Sequence, residues 1–188
     1  MKKDVTTINI GYKALSIWLI GHSGAGKTTL ANALAKKLHH LGIHSCVLDA
    51  DEIRKGINNN LGYSDNDRTE NIRRTAEVSK LFNENGIITI NSYICPTEKM
   101  RELAKSIIGE NNFILIYLDT PIETCELRDI KGLYAKARRG EIKEFTGINA
   151  TFEKPLHANI VINAAIDTIE HCTNKIIDFL KPFIIIEN

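Results

Sequence analysis

The stretch Gly21-His22-Ser23-Gly24-Ala25-Gly26-Lys27-Thr28-Thr29 sets glycines, a lysine and a hydroxyl at the spacing G-x-x-x-x-G-K-[ST]. Glycines at Gly21 and Gly26 let a backbone turn sharply enough to aim its N–H groups at phosphate oxygens, and a following helix adds its partly positive N-terminus. Lys27 would reach the terminal phosphates of a nucleoside triphosphate, and the Thr28 hydroxyl would ligate Mg2+. The chemistry implied is the binding of nucleotide phosphates with Mg2+ as cofactor. Such a loop works only between a strand and a helix. Leu15 to Ile20 is an apolar run that reads as a buried strand, and Leu30, Leu34, Leu38 and Leu41 share one helical face over Thr29 to Leu41.

The bulk of the chain narrows the classes. At 188 residues, 43% hydrophobic and 25% charged, it reads as one domain with an ordinary core. The net charge of +1 gives no global field for nucleic acid or membrane, so anion binding must be local. Met1 to Tyr12 lacks the apolar segment of a signal peptide, and the expected compartment is the cytoplasm. Cys46, Cys95, Cys125 and Cys172 are scattered, which argues for free thiols rather than zinc or disulfides.

Further strands are expected at His44 to Leu48, Ile87 to Ile90, Phe113 to Leu118 and Ile160 to Ile162. Helices are expected from Thr69-Glu70 to about Gly86, over Thr97 to Ile108, after Pro121, and along Ile166, Ile169, Ile176, Ile177 and Leu180. From Asp129 to Pro155, Lys131, Lys136, Arg138, Arg139 and Lys143 alternate with glycines, a pattern that reads as a mobile basic lid rather than core. The alternation predicts an α/β fold: a P-loop three-layer sandwich on a doubly wound, mainly parallel five-stranded sheet, with ligands at the carboxyl ends of the strands.

Several motifs in order carry a resemblance beyond a generic phosphate loop. They are Leu48-Asp49-Ala50-Asp51-Glu52-Ile53-Arg54, Leu61-Gly62-Tyr63-Ser64, Asp67-Arg68-Thr69-Glu70-Asn71-Ile72-Arg73-Arg74, Arg128-Asp129-Ile130-Lys131-Gly132-Leu133-Tyr134 and Phe145-Thr146-Gly147-Ile148. From about Leu15 to about Pro155 the chain resembles the adenylylsulfate kinases, which phosphorylate the 3'-hydroxyl of adenosine 5'-phosphosulfate with Mg-ATP and are homodimers. The resemblance implies roles by position. Asp49 and Asp51 would end a strand facing the phosphate loop, Asp49 holding Mg2+ through water and Asp51 acting as base. An aspartate pair there is also suited to cap the next helix. Arg54 and Arg68 would anchor the phosphosulfate end, Asn71 would hydrogen-bond the acceptor nucleotide, and Tyr63 and Phe145 would sandwich its adenine. Ile94 would border that pocket, Arg128 would stack on the ATP base, and Lys131 would face the phosphates.

One loop departs from the family pattern. Ile94-Cys95-Pro96-Thr97-Glu98 stands where Ile-Ser-Pro is usually followed by an aromatic residue and an arginine. That change motivates a second reading, a relative that phosphorylates another small acceptor such as a modified nucleoside diphosphate. A third, a nucleotide-dependent switch, has no use for the second anion-binding set of Arg54, Arg68 and Asn71.

Overall fold

A computed structural model describes residues 11–184; the stretch Met1 to Tyr12, expected to lack a signal peptide, lies outside them up to Ile10. Five strands form one sheet: β1 (Ser16–Ile20), β2 (Ser45–Asp49), β3 (Ile88–Tyr93), β4 (Phe113–Leu118) and β5 (Ile160–Ile162). Their order is β2-β3-β1-β4-β5 and every pairing is parallel, with Trp18 of β1 registered on Asn91 of β3 and Leu115 of β4. Each return to the next strand crosses a face of the sheet, so β1, β3 and β4 are buried along their whole length.

The helices are α1 (Lys27–His40), α2 (Ala50–Lys55), α3 (Asp65–Glu84), α4 (Glu98–Ile108), α5 (Ile122–Arg128), α6 (Leu133–Arg138) and α7 (Ile169–Leu180). On one face of the sheet Leu30, Leu34 and Leu38 of α1 pack with Ile176, Ile177 and Leu180 of α7. On the other, Trp18, Tyr93 and Phe113 pack with Ile72 and Ala76 of α3 and Met100, Ala104 and Ile108 of α4. Among the described residues no helix is long and apolar enough to cross a membrane.

Several sequence expectations need correction. Helix α3 begins at Asp65, not at Thr69, because Ser64 caps it by accepting from the Asp67 N–H. Strand β3 continues past Ile90: Asn91 and Ser92 are buried there, and the Asn91 amide oxygen accepts from the Ser79 hydroxyl at 2.9 Å. Leu41 caps the C-terminus of α1 and is exposed, while Ile166 lies before α7 and is 81% exposed. The segment 129–155 is not outside the core, since Tyr134, Ala137 and Phe145 are buried in the cluster on the α1 face. Its Arg138 and Arg139 pair with Glu126 and Glu141, so these two cations are turned to carboxylates of their own surface.

Candidate active site

Gly21 begins the phosphate loop where β1 ends, at φ 148°, and a Cβ there would stand 2.8 Å from the Leu118 carbonyl oxygen. Only glycine lets the loop lie this close to β4. Helix α1 follows with Gly26 as its N-cap, no capping side chain and no acidic residue in its first turn. The amides of Lys27, Thr28 and Thr29 therefore face outward at the positive end of the helix. The Lys27 ammonium folds back on the loop, donating to Gly21 O at 3.0 Å and His22 O at 2.6 Å, and burial pushes its pKa down to about 8.

The loop is held from both sides. The Thr120 hydroxyl donates to Ala25 O at 3.2 Å, the Tyr134 hydroxyl to Ser23 O at 2.9 Å, and Arg128 to Gly24 O and Ala164 O at 3.3 and 2.8 Å. His22 packs its ring 4.5 Å from that of Phe152. A Cβ on Gly147, at φ 92°, would meet His22 Nδ1 at 2.8 Å, so the phosphate loop and the turn after Phe145 touch here. Burial foremost, and then Lys27, hold the His22 imidazole below its usual pKa.

Asp49 takes the capping role and also bonds the phosphate loop. As the last residue of β2 it caps α2, its Oδ1 accepting from Asp51 N–H at 3.0 Å, while its Oδ2 accepts from the Thr28 hydroxyl at 2.7 Å. Asp51 is not at the strand end but in the first turn of α2, where Lys131 reaches across and donates to its Oδ2. Thr28 Oγ1 and Asp49 Oδ2, with Ser92 Oγ 3.4 Å from the threonine, are hard oxygen donors of the kind Mg2+ takes.

Arg54 lies three residues beyond Asp51 on α2 and donates to Leu61 O and Gly62 O at 3.2 and 2.8 Å. Its guanidinium sits 4.5 Å from the centre of the Tyr63 ring, which is 63% exposed. Arg68 donates to Tyr63 O at 2.7 Å, to Glu144 O at 2.6 Å and to Thr146 Oγ1 at 3.3 Å. These bonds join the Tyr63 loop to the Phe145 turn. Phe145 itself is buried and edge-on to Tyr134 at 4.9 Å, and its ring is not packed against Tyr63. Asn71 is buried on α3, and Ile94 is half-buried just past β3.

Arg101 is the residue the sequence reading missed in the altered loop. It is 2% exposed, donates to Cys95 O and Glu153 O at 3.0 and 2.9 Å, and grips the Glu98 carboxylate at 2.7 Å. The signal was present, since a glutamate three residues before an arginine on one helix makes a pair. Glu98 is therefore paired with a cation of its own helix, which removes the unpaired carboxylate from the grounds for the second reading. Cys95 is buried at φ 44°, with its thiol pushed up to about 12 by burial. All four cysteines are free thiols.

The phosphate loop bonded to Asp49, with Asp51 and Arg54 following on α2, has counterparts among known proteins. The family model described as adenylylsulphate kinase matches residues 13–163. The adenylyl-sulfate kinase of Bacteroides thetaiotaomicron is 50% identical over 173 residues, 92% of this chain and 86% of that one. The enzyme of the same name from Clostridium kluyveri is 47% identical over 172 residues, again 92% and 86% of the two chains. Among solved structures, the Mycobacterium tuberculosis APS kinase in complex with AMPPNP and APS has a TM-score of 0.87 and 37% identity, covering 90% of this chain and 99% of that one. With half its residues shared along nine-tenths of its length, this chain belongs to the adenylylsulphate kinase family of phosphotransferases.

Proposed function

We propose that this chain transfers the terminal phosphoryl group of ATP to the 3'-hydroxyl of adenosine 5'-phosphosulfate, giving 3'-phosphoadenosine 5'-phosphosulfate and ADP. The observation that carries this is the Thr28–Asp49 hydrogen bond of 2.7 Å, which ties the phosphate loop to α2 and so to Asp51 and Arg54. Two anion-binding sets thereby face one another with a carboxylate between them. Phosphoryl transfer through a loose transition state asks mainly for such positioning and for fixed charge.

Lys27 would leave the carbonyls of Gly21 and His22 for the phosphates, with the amides of residues 21 to 29 around them. Asp51 would accept the proton of the attacking hydroxyl, and Lys131, now on Asp51, is placed to follow the transferred charge. Arg128 would lie along the ATP base. Arg54, Arg68, Asn71, Ile94, Tyr63 and Phe145 would form the acceptor side. Thr28, and Asp49 through water, would hold Mg2+, which when bound neutralises phosphate charge. A homodimer in the cytoplasm, serving sulfate assimilation, completes the proposal. Exposed apolar side chains such as Leu127 and Ile130, at 88% and 87%, are surface for a partner copy to cover. Sedimentation at micromolar concentration tests that part.

ADP release measured across a panel of nucleotide acceptors tests the whole. Turnover with adenosine 5'-phosphosulfate far above any other acceptor is expected; turnover of a different nucleotide alone rejects the assignment. Asp51→Asn should bind ATP within about twofold of the parent and lose about 100-fold or more in kcat, the usual scale for a general base. An unchanged kcat moves the base elsewhere.

A further inference from the structure

We propose that Asn58, outside the acceptor set named above, is a positioning residue for acceptor recognition: it turns the Asn71 side chain so that the NH2 group, and not the amide oxygen, faces the acceptor. The inference rests on the proposed function, which places the acceptor against Asn71.

Asn58 is fully buried in the loop between α2 and α3, and its Nδ2 donates to Asn71 Oδ1 at 2.7 Å. The same nitrogen lies 3.5 Å from the backbone oxygen of Asn71. Two oxygens converge on one donor, so reversing the Asn58 amide would set oxygen against oxygen. The backbone oxygen cannot turn away. It accepts from the Thr75 hydroxyl at 2.9 Å, and that hydroxyl is 2.7 Å from Tyr93 Oη on β3. Since Thr75 gives its proton to Asn71, Tyr93 must give its own to Thr75.

Asn58 is itself fixed by its N–H on Ile53 O at 3.0 Å and its carbonyl under Leu61 N–H at 3.1 Å. Its own Oδ1 is buried without a partner among the described residues. An orphaned buried oxygen is unfavourable by about 1–3 kcal/mol, so this orientation is held against a local penalty.

With its oxygen taken, Asn71 has only its NH2 left to offer. The residue is 5% exposed, yet among the described residues Nδ2 donates to nothing. Asn71 lies three residues after Arg68 on α3 and so shares its face, the one turned to Tyr63 and the Phe145 turn. What Asn58 fixes is a lone donor beside an anion-binding arginine. It selects a nucleotide that presents an oxygen or ring-nitrogen lone pair and refuses one that presents an N–H at that point.

The test is steady-state kinetics of Asn58→Asp, Asn58→Ala, Asn71→Ala and the double alanine variant. Asn58→Asp keeps the shape but only accepts, so Asn71 must turn its NH2 inward. The KM for adenosine 5'-phosphosulfate should rise about tenfold while that for ATP stays within about twofold. The double variant should match Asn71→Ala alone, because Asn58 acts through it. Equal rises in both KM values, or alanine effects that multiply in the double variant, overturn the proposal. Side-chain amide exchange followed by NMR is independent of the substrate: slow exchange at Asn58 and fast exchange at Asn71 are expected, and the reverse overturns it. Absence of turnover with adenosine 5'-phosphosulfate in the parent enzyme would instead reject the proposed function.

Discussion

Lys27 carries a proton whose loss has a definite place on the pH scale. Burial lowers its pKa from 10.5 to about 8, so between those values the unfolded chain binds more protons than the folded one. Across that window this group makes stability rise with pH; below about 8 it is charged in both states and adds no slope. Phosphate needs the charged form. ATP affinity is therefore expected to be flat below pH 8 and to weaken by up to about tenfold per pH unit above it, one proton being taken up on binding. Calorimetric titration from pH 7 to 9.5 checks this, and Lys27→Met should abolish the slope with the affinity. Lys27 and Thr28 were legible in the sequence because they stand in one contiguous pattern with Gly21 and Gly26. Asn58 was not: it belongs to no such pattern, and only a folded loop brings a polar residue in a polar stretch onto Asn71 and to full burial.

Helix α1 shows how a pattern becomes an element. Leu30, Leu34 and Leu38 recur at helical spacing and are all buried, each contributing about 1.5–3 kcal/mol by removal from water. Leu34→Ala should lower stability by about 2–5 kcal/mol in denaturant titration, a loss shared between transfer and cavity. Because α1 also aims the loop amides, the same variant should bind ATP more weakly. Apolar periodicity located this helix and all five strands. It failed at the start of α3 and at the end of β3, where polar residues rule. Ser64 and Asp67 stop one pattern by capping, and Asn91 hides in the sheet because Ser79 of α3 supplies its partner. The basic run of the lid misled as well, since counting its cations along the chain passed over Glu141 two residues from Arg139 and Glu126 on α5, which the fold brings to Arg138.

Taken as a whole, the sheet sends every strand's carboxyl end to one rim. Gly21 follows β1, Asp49 ends β2, Ile94 follows β3 and Ala164 follows β5, so the site is assembled from places that are adjacent only because all the pairings are parallel. The opposite rim holds the returns, among them the exposed Gly42 between α1 and β2, where a Cβ would meet nothing. Inserting a short glycine-serine segment after Gly42 should leave kcat and both KM values within about twofold, since exposed turns absorb added length. A tenfold loss would show that the two rims are mechanically coupled. If they are not, that quiet turn is where a dye, a surface tether or a second catalyst can be grafted, reporting on nucleotide turnover without standing in its path.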